Sequence, residues 1–208
     1  MLVGGGVPLA KHLRLAGVER VPEQLVRGGD YASRWSSPEL LLSQSCGYDV
    51  LYDAAEHIVP IATPCYAAEG CEGPRYRSFV VVRTDRSWQS FQDVACIDAV
   101  VLELLRRNRS EAVANLRAVA CTNTALAPPY VTSMHASPQL LSQLRAALQA
   151  AVADPELAVA REALLLRDVA FFPSASYSEL QEFEQAAIAV GYQELPAPLR
   201  SPLSDRND

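Results

Sequence analysis

The chain has 208 residues, half of them hydrophobic, a fifth charged and 14 of them proline. That apolar content suffices for one ordinary domain or two small lobes and excludes wholesale disorder. A formal net charge of −6 excludes a general nucleic-acid binder, which needs clustered cations against phosphate backbones.

The first ten residues, MLVGGGVPLA, place their apolar stretch before the first positive charge, Lys11. A secretory signal has the opposite order, so the chain as written reads as cytoplasmic, and as periplasmic only if residues precede it. Pro8 to Ala16 predicts a short amphipathic helix stopped by Gly17, and Val21 to Val26 a further helical turn after Pro22. Leu40–Leu42 reads as a short buried strand leading into a polar loop, Ser43–Tyr48, and then a short helix over Asp49–Ala55. His57–Ala62 predicts a second strand, with Pro60 marking an edge or a bulge.

Residues 63–74, with Pro64, Gly70, Gly73 and Pro74, read as a loop, and Arg75–Arg83 as one strand with a continuous apolar centre at 79–82. Asp85–Ser90 reads as a turn, Asp98–Arg107 as a helix, and Leu116–Cys121 and Tyr130–Thr132 as strands. Ser137-Pro138 starts a helix over Gln139–Val152, and Asp154-Pro155 another over Glu156–Leu166. Ser176 and Glu179 have capping-box spacing for a helix over Tyr177–Val190, with Gly191 at its end. Residues 196–208 read as a loose tail. Strands alternating with helices predict an α/β fold with a largely parallel sheet. No apolar run is long enough to span a bilayer.

Cys46, Cys65, Cys71, Cys96 and Cys121 are an odd set without a Cys-x-x-Cys pair, and His12, His57 and His135 are scattered, so no metal site is read. Cys65 and Cys71 fit either free thiols or, in an oxidising compartment, a disulfide. There is no nucleophile elbow and no phosphate-binding loop, and Gly4-Gly5-Gly6 has no strand before it. No catalytic residue and no cofactor is expected. Polar loops beside short strands do suit a small anion, held by helix N-termini and by Ser, Thr and Tyr hydroxyls such as those of Ser45 and Thr63. Arg75, Arg77 and Arg83 add local positive charge.

The segments LLLSQSCGY at 40–48, TPCYAAEGCEGPRYRS at 63–78 and FVVVR at 79–83 resemble the phosphate/phosphite/phosphonate-type solute-binding proteins of ABC transporters. ACID at 95–98, PYVT at 129–132 and AREALLL at 160–166 follow in the same order. The resemblance implies a type II periplasmic-binding-protein fold: two α/β lobes and a two-strand hinge, clamping an oxyanion by hinge closure. It implies a first lobe from 1–84 and 126–195, and a remnant second lobe with the hinge at 85–125. By the same resemblance Tyr48 and Tyr76 contact the ligand, and Asp98 accepts a hydrogen bond from a ligand amine or a protonated oxygen. On their own residues, Tyr48 and Tyr76 read equally as half-buried tyrosines, and Asp98 as a helix N-cap.

After Val94 the family continues through a second-lobe segment carrying most anion contacts, which this chain lacks. Two functions follow from the resemblance and its gap. One is a monomeric oxyanion-binding protein, weakened by the gap and partnered by an ABC transporter permease. The other is a degenerate α/β fragment that binds no ligand and serves as a structural or interaction module.

Overall fold

The computed structural model describes residues 8–25, 30–85, 87 and 93–192. The leading glycines, Val26, most of the expected turn at 85–90 and the expected tail lie outside the described residues. In chain order the elements are α1 (Pro8–Leu15), α2 (Tyr31–Trp35), β1 (Ser43–Gln44), α3 (Gly47–Leu51), β2 (Ile58–Tyr66), β3 (Arg75–Tyr76), β4 (Ser78–Arg83), β5 (Val94–Asp98), α4 (Ala99–Asn108), β6 (Leu116–Cys121), β7 (Ala125–Leu126), β8 (Tyr130–Ser133), α5 (Pro138–Ala153), α6 (Ala158–Ala163), β9 (Leu166–Ala170) and α7 (Glu179–Ala189).

The helices with local start signals form where the sequence places them. Ser137 Oγ accepts the Leu140 N–H at 3.1 Å with Pro138 in the first turn of α5, and Asp98 Oδ1 accepts the Val101 N–H at 2.8 Å to open α4. Gly17 closes the turn after α1 at φ +86°, a conformation glycine adopts without steric cost. The capping box expected at Ser176 and Glu179 does not form. Residues 174–178 wind as a 3-10 turn, and the Glu179 carboxylate is committed to tertiary partners. No helix follows Pro22 within 21–25, and the helix expected to reach Leu166 stops at Ala163, where the chain turns into β9.

The strands form three sheets. A four-stranded sheet has the order β1-β8-β2-β9, a three-stranded sheet the order β5-β4-β6, and β3 pairs with β7 between them. Every one of these pairings is antiparallel, so the expected parallel sheet is corrected. A helix between two strands requires a parallel pair only when the second strand enters from the same end of the sheet. Here β8 enters after the chain returns from the three-stranded sheet, and β9 enters on the far side of β2.

Leu40–Leu42 are half-buried but carry no strand, which is confined to Ser43–Gln44. β2 runs four residues beyond its expected end, with the register shift foreseen at Pro60 lying between Pro60 and Ala62. It is a central strand and not an edge: its first half pairs with β8 and its second half with β9. The single strand expected over 75–83 breaks at Arg77 into β3 and β4, which join different sheets.

Neighbouring residues of β8 point to opposite faces of the four-stranded sheet. Tyr130 packs with Leu13, Ile61, Leu144, Leu148 and Val169 against α1 and α5. Val131 packs with Val50, Ala54, Ile58, Leu126 and Tyr177 against α3 and the 3-10 turn. Helix–sheet–helix layering therefore encloses the larger sheet. His12 Nε2 lies 2.8 Å from Asp154 Oδ2 and ties α1 to the end of α5. Among the described residues no helix is long and apolar enough to cross a membrane.

Candidate functional site

The carboxyl end of β2, the strand β3 and the β5–α4 corner converge at the junction of the two sheets. Tyr66 ends β2, Tyr76 ends β3, and Asp98 ends β5 and caps α4. Burial pushes the Tyr76 hydroxyl above its ordinary pKa, and the nearby Asp98 carboxylate, followed by the acidic groups of Cys46, Tyr66 and Cys71, adds to the shift. Tyr66 is raised by burial against a counteracting hydrogen bond from Gln44, with Asp98 and Cys71 again raising it. The Cys71 thiol is raised by burial and by Asp98. These three groups therefore share one electrostatic environment, centred on the Asp98 carboxylate. Tyr130, across the strand pair from Gln44, is raised by burial and by Tyr66.

The hydrogen bonds around this cluster leave some hydroxyls occupied and others open. Gln44 Nε2 donates to Tyr66 Oη at 3.0 Å and to the Pro128 carbonyl at 2.9 Å, which fixes the Tyr66 ring. Among the described residues the hydroxyls of Tyr76 and Tyr130 have no hydrogen-bond partner. A tyrosine that buries its ring and leaves its hydroxyl open at a cleft is suited to bind a polar ligand.

The five residues singled out from the sequence divide. Tyr76 and Asp98 come together in this cluster. Ser45 is buried, and its hydroxyl donates to Asp49 Oδ2 at 2.9 Å, inside the cap of α3. In that cap Cys46 Sγ accepts the Asp49 N–H at 3.4 Å, while Asp49 Oδ2 accepts the Cys46 N–H at 3.3 Å and its thiol at 3.0 Å. Thr63, now inside β2, is buried on the α3 side of the sheet, where its hydroxyl lies 2.6 Å from Tyr177 Oη. Tyr48 stands in the first turn of α3 and packs against Tyr52, ring centroids 4.4 Å apart; burial and then Glu184 raise its pKa. Of its electrostatic neighbours only Cys46 is shared with Tyr76.

Gly47 explains why α3 sits so close to the 3-10 turn. A Cβ there would meet Leu180 Cδ1 at 2.7 Å and Tyr177 Cδ1 at 3.0 Å.

Cys65 and Cys71 are both free thiols, as are the other three cysteines. Cys65 is buried facing Asp168, while its neighbour Tyr66 turns to the opposite side, where Cys71 lies. Alternation along the strand thus points the two thiols apart. Among the described residues no group of three or more His, Cys, Asp or Glu side chains is placed to hold a metal.

Sequence reasoning missed Tyr66, Tyr130 and Gln44 as site residues. Tyr66 lies within the 63–78 segment and Gln44 within 40–48, so the signal was present for those two; Tyr130 joins them only through the pairing of β1 with β8.

A short β3–β7 pair between two antiparallel sheets, one of them enclosed by helices, gives an α/β fold similar to that of type II periplasmic binding proteins. One lobe is nearly complete, around the four-stranded sheet, and a reduced second lobe is built on the three-stranded one. Solved structures of similar fold bear this out. A binding-protein component of an ABC phosphonate transporter, PA3383 from Pseudomonas aeruginosa, superposes with a TM-score of 0.68 at 13% identity, covering 91% of this chain and 83% of that one. XAC2383 from Xanthomonas citri, bound to ATP, gives 0.63 at 13% identity over 88% and 90%. The same protein bound to chloride gives 0.61 at 12% over 88% and 89%. At these identities the likeness is one of fold. Most of each neighbour's length is matched, so any second-lobe segment lacking here is a minor part of either. No family model and no curated protein sequence matches the chain.

Proposed function

We propose that the chain is a solute-binding protein for a small phosphonate- or phosphate-like oxyanion, acting with an ABC transporter permease as a periplasmic monomer and not as an enzyme. The observation that carries this reading is the pair of unpartnered hydroxyls, Tyr76 and Tyr130, beside the fixed Tyr66 and the Asp98 carboxylate. The hydroxyls donate to ligand oxygens. Asp98 accepts from a ligand ammonium or a protonated oxygen, which favours an aminoalkylphosphonate or a hydrogen phosphonate over a fully charged anion. The ligands named for the neighbours, ATP and chloride, are anions, and PA3383 is named as part of a phosphonate transporter.

We draw the second lobe at 78–121, between the hinge strands β3 and β7, and not at 85–125, because β4 pairs only within the three-stranded sheet. Tyr48 stands at the margin of this site, and Ser45 and Thr63 support it from behind.

A second reading rests on a different observation. The charged neighbours that shift Tyr66, Tyr76 and Cys71 are acidic or neutral, with no cation among them. An anion site without a cation forgoes charge-assisted bonds worth about 1.5–3 kcal/mol each, which fits a module that has lost its ligand. Calorimetric titration with phosphate, phosphite, methylphosphonate and aminoethylphosphonate separates the two. Saturable heat that is weakened by Tyr76→Phe supports binding. No heat at millimolar ligand from a folded sample leaves the non-binding module.

A further inference from the structure

Beside the β3–β7 pair lies a concavity of about 530 Å³, a volume within the range of small-molecule sites. Its walls include Arg77, Cys121 and Asn123 on one side and Glu182 and Phe183 of α7 on the other. Arg75 and Arg77 flank Tyr76 in an extended segment, so they point away from it, and the concavity opens on the reverse side of the hinge from the tyrosine cluster. It shares no lining residue with that cluster.

The charges in this groove are unevenly spent. Arg75 is fully engaged: Nη2 donates to Glu179 Oε2 at 2.7 Å and to the Thr124 carbonyl at 2.8 Å, and Nε to Thr124 Oγ1 at 3.1 Å. Glu179 Oε1 takes the Leu126 N–H at 2.7 Å, which closes that pair. Arg77 is open. Its Nη1 meets only Cys121 Sγ at 3.3 Å, a weak acceptor, and its Nε–H is buried with no partner at all. A buried donor without an acceptor is uncommon, and it leaves the guanidinium charge uncompensated within the protein. On the facing wall the Glu182 carboxylate is exposed and, among the described residues, makes no ion pair. The ring of Phe183 lies beside it, 37% exposed.

We propose that this groove binds a small zwitterion of the amino-acid class. The ligand carboxylate takes the Nη groups of Arg77, which carry only the weak contact to Cys121 Sγ. The ligand ammonium meets Glu182, and an apolar substituent lies on Phe183. Arg77 belongs to the hinge and second-lobe side and Glu182 to the first lobe, so a ligand held at both ends ties the two walls behind the hinge.

The test uses the full chain and L-leucine as probe, with acetate and methylammonium as its two halves. Cys121 lines the groove, so its alkylation by iodoacetamide, resolved by mass spectrometry, reports occupancy. Cys96 lies outside the groove and is the internal control. Leucine at about 10 mM is expected to slow alkylation of Cys121 and not of Cys96, while neither half-molecule does so alone. Glu182→Gln, on an exposed helix surface, and Arg77→Gln are each expected to weaken the effect on the order of tenfold, the loss of one charged contact. Tyr76→Phe is expected to leave it unchanged, which keeps this site distinct from the tyrosine cleft. Equal protection of both cysteines, equal protection by acetate, or full protection surviving in Glu182→Gln overturns the proposal.

Discussion

The hydroxyls of Thr63 and Tyr177 meet at 2.6 Å, 114 residues apart in sequence, in the interior between β2 and the 3-10 turn before α7. Burial pushes the Tyr177 phenol up to about 12, against the Thr63 hydrogen bond that lowers it. The pair is a structural lock. Tyr177→Phe is expected to cost about 1–3 kcal/mol in chemical denaturation by stranding the Thr63 hydroxyl. Adding Thr63→Val should recover part of that loss. A double-mutant cycle with strictly additive costs would show that the bond contributes nothing.

Asp98 caps α4, and under the proposed function it also meets the ligand; substitution can separate the two roles. Asparagine caps a helix about as well as aspartate, so Asp98→Asn is expected to leave stability nearly unchanged, while Asp98→Ala costs about 1 kcal/mol. Loss of the carboxylate charge should weaken an ammonium-bearing phosphonate in both variants and leave methylphosphonate less affected. Thermal melts read the first effect and calorimetry the second. Equal weakening of both ligands would remove the charge pairing from the account.

The Cys46 thiol is pushed up to about 11 by burial and by its hydrogen bond to Asp49, from an ordinary value of 9.0. It should hold roughly a hundredfold less thiolate than an ordinary thiol near neutral pH. Alkylation of Cys46 at pH 8 is therefore expected to lag behind that of the exposed Cys96 and Cys121, although Cys46 is itself exposed overall. Asp49→Ala removes the hydrogen bond and should speed labelling of Cys46 alone. Rates for Cys46 matching the other two in the unsubstituted chain would contradict this.

Asp154 binds the two ends of α5's exit to α1. Its pKa is held below the ordinary 3.8 first by the Glu156 backbone N–H and then, against desolvation, by His12 and Lys11. A carboxylate depressed on folding contributes stability that is present above its unfolded value and is lost as pH falls through the lower folded one. Melting temperature should fall as pH drops below about 4, and Asp154→Asn should flatten that part of the profile. An identical acid limb in the substituted chain would assign acid sensitivity elsewhere.

The helices were legible because their signals are local. Ser137-Pro138 and the leucines of α5 state a start and a buried face within one segment, and Asp98 does the same for α4. The sheet was harder to read. Pro60 and Pro64 look like punctuation, yet β2 runs through both, because its register shift and its change of partner from β8 to β9 accommodate the missing N–H groups. Thr63 therefore fell in an expected loop, when its true position is an interior strand. β9 was hidden inside a leucine- and alanine-rich stretch whose helical propensity continues past Ala163 until tertiary pairing overrides it. Tyr76 and Asp98 were recoverable from the resemblance. Tyr130 was not, since only a pairing between residues 44 and 130 brings it to the cleft.

The three-stranded sheet leaves the chain and returns to it at a clasp between Ser78 and Thr122. The Thr122 N–H donates to the Ser78 carbonyl at 2.9 Å, and the Ser78 N–H to Thr122 Oγ1 at 3.0 Å. Beyond that clasp the Ala99 N–H donates to the Arg77 carbonyl at 2.9 Å and Arg106 pairs with Glu69 at 3.0 Å, and closing a loop costs little more as it lengthens. The segment behaves as a cassette. A turn of a few residues grafted between Arg77 and Asn123, or a longer insert from a protein of similar fold, would leave the pairing of β2 with β8 and β9 intact. Under the proposed function, ligand preference changes by exchange of this cassette while the larger sheet that supports it stays as it is.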